Sequence, residues 1–174
     1  MRKTIYVAVL AIGLGTLSTA EAHGQFISNA PRNSPAVKTE AVQYLFPEQV
    51  SVPAGKASSV TLHFRVAQGL HINSHTPSDD FLIPTDLSIP GGEGPGGMGV
   101  RLVAATYPDG KIISLAFDPS TKLSVYTGEF DIQARIVAAP GNHPVQAKLH
   151  YQACDQNECM PPKTINVPID VIGK

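Results

Sequence analysis

The 174-residue chain sets 13 Lys and Arg against 14 Asp and Glu, a formal net charge of −1. No basic run is available to neutralise a row of phosphates, so nucleic acid is not an expected partner. Only two cysteines are present, which excludes a scaffold held by many bridges, and the length suffices for one domain with a sizeable core.

Arg2 and Lys3 precede an apolar run from about Thr4 to Leu17, closed by small residues at Ala20-Glu21-Ala22. The segment 1–22 reads as a secretory signal peptide with an A-x-A cleavage site. A retained anchor fits less well, because Gly13, Gly15 and Thr16 interrupt a run already short of the roughly 20 apolar residues a membrane span needs. Cleavage would make His23 the first residue and send a soluble, slightly acidic monomer of about 150 residues to an oxidising, periplasmic compartment. Residues 23–36, "HGQFISNAPRNSPA", have no period and are expected to form an extended lead-in to a single domain over 37–174.

Beyond the lead-in the dominant signal is two-residue alternation, the pattern of half-buried strands. "KTEAVQYLF" is a weak strand candidate. "SVTLHFRV" is a strong one, with Val60, Leu62, Phe64 and Val66 on one face and Thr61, His63 and Arg65 on the other. "TDLSI", "VRLVAA" and "KIISLAF" follow as weaker candidates. "EFDIQARIV" sets Phe130, Ile132, Ala134 and Ile136 against Asp131, Gln133 and Arg135, and "TINVPIDVI" aligns Ile165, Val167, Ile169 and Val171. Turns such as "VPAGK", "YPDGK" and "APGN" separate these runs. Eight or nine short strands without a sustained helical period predict an all-β, immunoglobulin-like β-sandwich, although the chain lacks the tryptophan of antibody domains.

"GGEGPGGMG", Gly91 to Gly99, contains a formal G-x-G-x-x-G, but a dinucleotide fingerprint must open a helix and here a strand pattern follows. The loop is read as a connection. His71 and His75 in "HINSH" lie four apart, yet Pro77 and the strand context deny them the helix on which that spacing converges, so both read as polar loop residues.

The cysteines stand in "LHYQACDQNECMPPKT". Val145, Ala147, Leu149 and Tyr151 make one apolar face of a strand, and continued parity puts Cys154 with the polar set, at a solvent-accessible edge, with Cys159 in the connection that follows. Closing so small a loop stabilises by only about 2 kcal/mol in the chain-entropy view. Spacing alone leaves both a structural disulfide and a redox couple open, and it matches neither the thioredoxin nor the haem motif.

"YQACDQNECMPPKTINVPI", together with "GLHINSHTPSDDFLIPTDL", resembles the N-terminal periplasmic domain of the thiol:disulfide interchange protein DsbD, a family also found as stand-alone exported domains. The similarity runs from about Val37 to Val171. In the family a Tyr-Gln pair, here Tyr151 and Gln152, precedes the first cysteine, and Pro-Pro follows the second. The resemblance implies an immunoglobulin-like fold and a thiol-disulfide oxidoreductase without cofactor. Such a protein takes electrons from a membrane-embedded thiol reductant and passes them to thioredoxin-like periplasmic proteins, including those of cytochrome c maturation. It implies Cys159 as the residue that forms the mixed disulfide and Cys154 as the one that resolves it. By order along the chain, the family's cap loop falls on "LAFDPSTKLSVY", with Phe117 as lid and Asp118 beside it, while His71 and Asn73 stand where tyrosines flank the cysteines in other members. Departures are four residues between the cysteines instead of five, and the absence from this sequence of the transmembrane and thioredoxin-like domains, so the partners are expected to be separate polypeptides.

Two other readings compete. An N-terminal His23 could chelate Cu(II), as in an exported sandwich that resembles the lytic polysaccharide monooxygenases, with His63, His71, His75, His143 or His150 as the second ligand; Cys154, Cys159 and Met160 with His150 could hold Cu(I). The third reading is a secreted binding module with a passive disulfide. Neither G-x-S-x-G nor H-E-x-x-H is present to support a hydrolase.

Overall fold

Alternation in the sequence becomes strand after strand in the computed structural model, which describes residues 40–45, 49–91, 99–115 and 118–174. In chain order the strands are β1 (Val42–Tyr44), β2 (Gln49–Val52), β3 (Ser58–Val66), β4 (His71–Asn73), β5 (Asp86–Ser88), β6 (Val100–Thr106), β7 (Lys111–Leu115), β8 (Asp118–Tyr126), β9 (Glu129–Ala138), β10 (Gly141–Tyr151), β11 (Ala153–Cys154) and β12 (Lys163–Gly173). They form three sheets of order β1-β3-β9-β6, β2-β12-β10-β5 and β11-β4-β8-β7. Paired strands are antiparallel except β2 and β12.

The first two sheets enclose one core and make the expected immunoglobulin-like sandwich. Leu62, Phe64 and Ile132 from one and Val145, Leu149 and Val167 from the other belong to a single apolar cluster and are all but inaccessible to solvent. Burying each such side chain contributes about 1.5–3 kcal/mol. An aromatic column ties the third sheet to this core. Tyr126 of β8 stacks on Phe130 of β9 at 4.8 Å between ring centroids, and Phe130 stacks on Phe64 of β3 at 5.4 Å. The Tyr126 hydroxyl donates to the Pro108 carbonyl at 3.0 Å and accepts the His75 amide at 3.1 Å.

Prolines inside β10 and β12 would ordinarily argue against central strands. Pro144 pairs with Asp170 and Pro168 with Gln146, two steps apart along one ladder. Both therefore occupy the same class of cross-strand pair, and a residue without an N–H fits the class whose amides point away from the partner. On the outer side, β2 meets β12 only from Asp170 to Gly173, and β5 meets β10 only from Lys148 to His150. Each proline thus sits where its strand is locally an edge.

Some expectations change. The segment expected as a cap loop is strand β8 from Asp118 onward, hydrogen-bonded to β4 and β7. His71 is not a loop residue but the first residue of β4, and His75 lies just beyond that strand with its ring stacked on Tyr107 at 3.8 Å and 5°. The glycine-rich connection leads into β6, a strand, as read; Gly99 at its end has φ of +73°, and a Cβ there would run into the His143 ring. The leader, the lead-in, His23, Gly92 to Met98 and Phe117 lie outside the described residues.

Candidate redox site

Strand β10 ends at Tyr151, Gln152 breaks it, and the chain resumes as β11 in a different sheet. There Ala153 pairs with Ile72 and Cys154 with His71. The parity expected from the sequence continues through the break, since Tyr151 and Ala153 both enter the apolar core and Cys154 points to the other face. What fails is the inference that this other face meets solvent. Cys154 is only 2% exposed, because β4 is buried on both sides and brings His71 and Asn73 to the same face.

Cys154 and Cys159 are joined by a disulfide, their Cα atoms 4.0 Å apart. The two sulfurs are not equivalent, for Cys159 lies on the exposed side of the turn while Cys154 is enclosed. Asp155 organises that turn. Its carboxylate accepts the amides of Asn157 at 2.7 Å and Glu158 at 2.9 Å, and its own N–H donates to the Glu158 carbonyl at 3.0 Å. These two amide bonds hold the Asp155 carboxyl below its usual pKa, with a smaller contribution from His71.

Gln152 fixes the far end of the turn. Its Nε2 donates to the Met160 carbonyl at 3.2 Å, its Oε1 accepts from Asn73 Nδ2 at 3.5 Å, and the same Asn73 nitrogen donates to the Ile83 carbonyl at 3.0 Å. The Met160 amide closes the arrangement on the Ala153 carbonyl at 2.8 Å. Gln152 entered the sequence reading only as half of a motif, and Asp155 was not singled out there, although Asp-x-Asn after a cysteine carries the signal of a side-chain-capped turn.

Three buried polar atoms here have no hydrogen-bond partner among the described residues: His71 Nε2, Asn73 Oδ1 and the Tyr151 hydroxyl. Such an atom costs about 1–3 kcal/mol. Burial lowers the pKa of His71, and the charge of Asp155 partly opposes that shift. Burial raises the Tyr151 pKa, as does the charge of Glu40; the Val42 amide acts in the opposite sense, without reaching hydrogen-bond geometry.

Of the expected site residues, His71 and Asn73 stand with Cys154, while Tyr151 turns into the core. Asp118 pairs with Leu115 at the start of β8, on the β7 side of the sheet. Of the copper reading, His23 lies outside the described residues; His150 lies on β10 against Thr164 Oγ1, and among the described residues no three His, Cys, Asp or Glu side chains cluster as a metal site requires.

The β-sandwich joins an enclosed and an exposed cysteine across a tight turn, and the family match puts it in the class of thiol-disulfide interchange domains. The sequence profile of the family described as "Thiol:disulfide interchange protein DsbD, N-terminal" matches residues 41–170, and the chain belongs to that family. Among solved structures it is similar to the N-terminal domain of DsbD from Neisseria meningitidis in the reduced form, with 20% identity over 69% of this chain and 82% of that one and a TM-score of 0.45. It is also similar to the N-terminal periplasmic domain of ScsB from Proteus mirabilis, with 13% identity over 67% of this chain and 42% of that one and a TM-score of 0.43. No curated protein sequence matches it.

Proposed function

We propose that the chain is an exported, periplasmic carrier of reducing equivalents, taking them from a membrane-embedded thiol reductant and delivering them to thioredoxin-like proteins through the Cys154–Cys159 couple. The observation that carries this reading is the unequal exposure of the two sulfurs across a loop too short to serve well as a staple. In the reduced protein the Cys159 thiolate attacks a partner disulfide, forming a mixed disulfide and releasing one partner thiolate. The Cys154 thiolate then attacks Cys159, the pair closes, and the second partner sulfur leaves with the electron pair. Two electrons pass to the partner. Recharging runs the same steps backward from an upstream dithiol.

Family membership supports the chemistry, and the inaccessible position of Cys154 supports the division of roles. Residues 1–22 serve as the export signal in this reading, and 37–174 form the exchange domain. The test is trapping with a purified thioredoxin-like disulfide partner. Cys154→Ala should accumulate the mixed disulfide on a non-reducing gel, and Cys159→Ala should accumulate none. Equal reduction of the partner by both variants and the wild type would refute the couple.

A further inference from the structure

We propose that His71 is the proton acceptor and donor for Cys154, so that the enclosed thiol is activated from the neighbouring strand. This deepens the exchange reading and rests on it. Three observations meet at this pair. Cys154 and His71 are directly opposite each other in the β11–β4 register, a relation that places their Cβ atoms about 4.5–5.5 Å apart on one face of the sheet. Both are enclosed, at 2% and 6% exposure, so bulk water does not readily exchange protons with the sulfur. Finally, His71 Nε2 is buried with no hydrogen-bond partner among the described residues while Cys154 is tied up in the disulfide. An orphaned buried nitrogen calls for an explanation, and reduction supplies one, because it places an S–H on the residue opposite.

The step balances without any further reactant. In the mixed disulfide, His71 takes the Cys154 proton, the thiolate attacks Cys159, the Cys154–Cys159 bond forms, and the Cys159–partner bond breaks with its electrons leaving on the partner sulfur. That sulfur takes up a proton from the imidazolium or from water. In the recharging direction His71 takes the proton of the upstream thiol, the resulting thiolate attacks Cys159, Cys154 leaves as thiolate, and the imidazolium hands that proton to it. Toward Cys154, one ring serves as base in discharge and acid in recharge.

The surroundings favour a ring that is neutral at rest. Burial lowers the His71 pKa. Of the strands beside it, β11 leads into Asp155, whose charge partly restores the protonated form, and the β8 side brings Tyr126 on the opposite face of the sheet and Thr127, which accepts from Lys111 Nζ at 3.4 Å.

The experiment uses glutathione disulfide as the probe and follows two rates across pH by rapid acid quench and mass analysis: mixed-disulfide formation at Cys159, and its resolution by Cys154. A thiol of ordinary pKa near 8.5 is only about one part in 30 thiolate at pH 7. His71→Gln, with its fold checked by circular dichroism, should therefore resolve about 30-fold more slowly at pH 7, form the mixed disulfide at the wild-type rate, and lose the limb of the pH profile below neutrality. His71→Asn provides the same test should the glutamine variant fail to fold. If wild type exchanges and the variants resolve equally fast with the same profile, His71 has no proton role and the couple stands. A uniform slowing of both steps with an unchanged profile would also overturn the assignment. If wild type forms no mixed disulfide at all, the exchange reading itself falls and this inference with it.

Discussion

Deleting one oxygen distinguishes side chains that work from those that only fill space. The sequence puts Tyr151 among the neighbours of the couple, but its ring lies in the core and its hydroxyl is buried without a partner among the described residues. Tyr151→Phe removes the orphan and keeps the packing, so the thermal midpoint should rise by the equivalent of about 1–3 kcal/mol, with exchange unaffected. A fall in midpoint, read by calorimetry, would mean the hydroxyl is satisfied. At this scale the sequence revealed which sulfurs matter but not how each is housed. Parity correctly set Cys154 apart from Tyr151 and Ala153, yet a period of two reports only which face a residue takes, and cannot say that the second face is also covered. The pairing of Cys154 with His71 joins residues 83 positions apart, and only the register of β11 on β4 brings it out.

Among the elements, β3, β9 and the C-terminal β12 were legible because each has one buried and one open face. Strand β4 is buried on both faces, and β8 is exposed over Pro119 to Lys122 and buried from Leu123 to Tyr126. Neither alternates, so neither shows as a strand in the sequence, and β2 and β11 are too short to show a period. The connections that frame the third sheet are clamped by polar contacts. The Tyr107 hydroxyl accepts the Leu87 amide at 2.8 Å and donates to Asp86 at 3.2 Å, while its ring stacks on His75. Burial is the main cause that pushes its pKa up to about 12. The unfolded chain gives up this proton near pH 10 and the folded chain near 12, so the folded state holds more protons across that window and loses stability as pH rises through it. Tyr107→Phe should flatten that alkaline limb in denaturant titrations at pH 9 to 12. An unchanged limb would place the clamp elsewhere.

For the molecule as a whole, one large core in the sandwich carries stability, and the disulfide sits in a small third sheet at its side. Closing so small a loop is worth about 2 kcal/mol in the chain-entropy view. A domain of this size shifts by roughly 2–4 °C per kcal/mol. Full reduction, or replacement of both cysteines by alanine, should thus lower the midpoint by only about 4–8 °C and leave a cooperative transition. Loss of the folded state on reduction would instead make the bridge a structural staple. The fold class was readable because it depends on the long alternating strands of that core; the third sheet, which positions the couple, depends on short pairings that leave little trace in a linear pattern.

The exposure of Cys159 alone has a consequence for traffic through the proposed carrier. With one reachable sulfur there is one mooring, and whichever protein charges the molecule must depart before the protein it serves can arrive. Supply and delivery then alternate, with throughput set by the slower of the two visits. Crowding by either party ends in competition with the other.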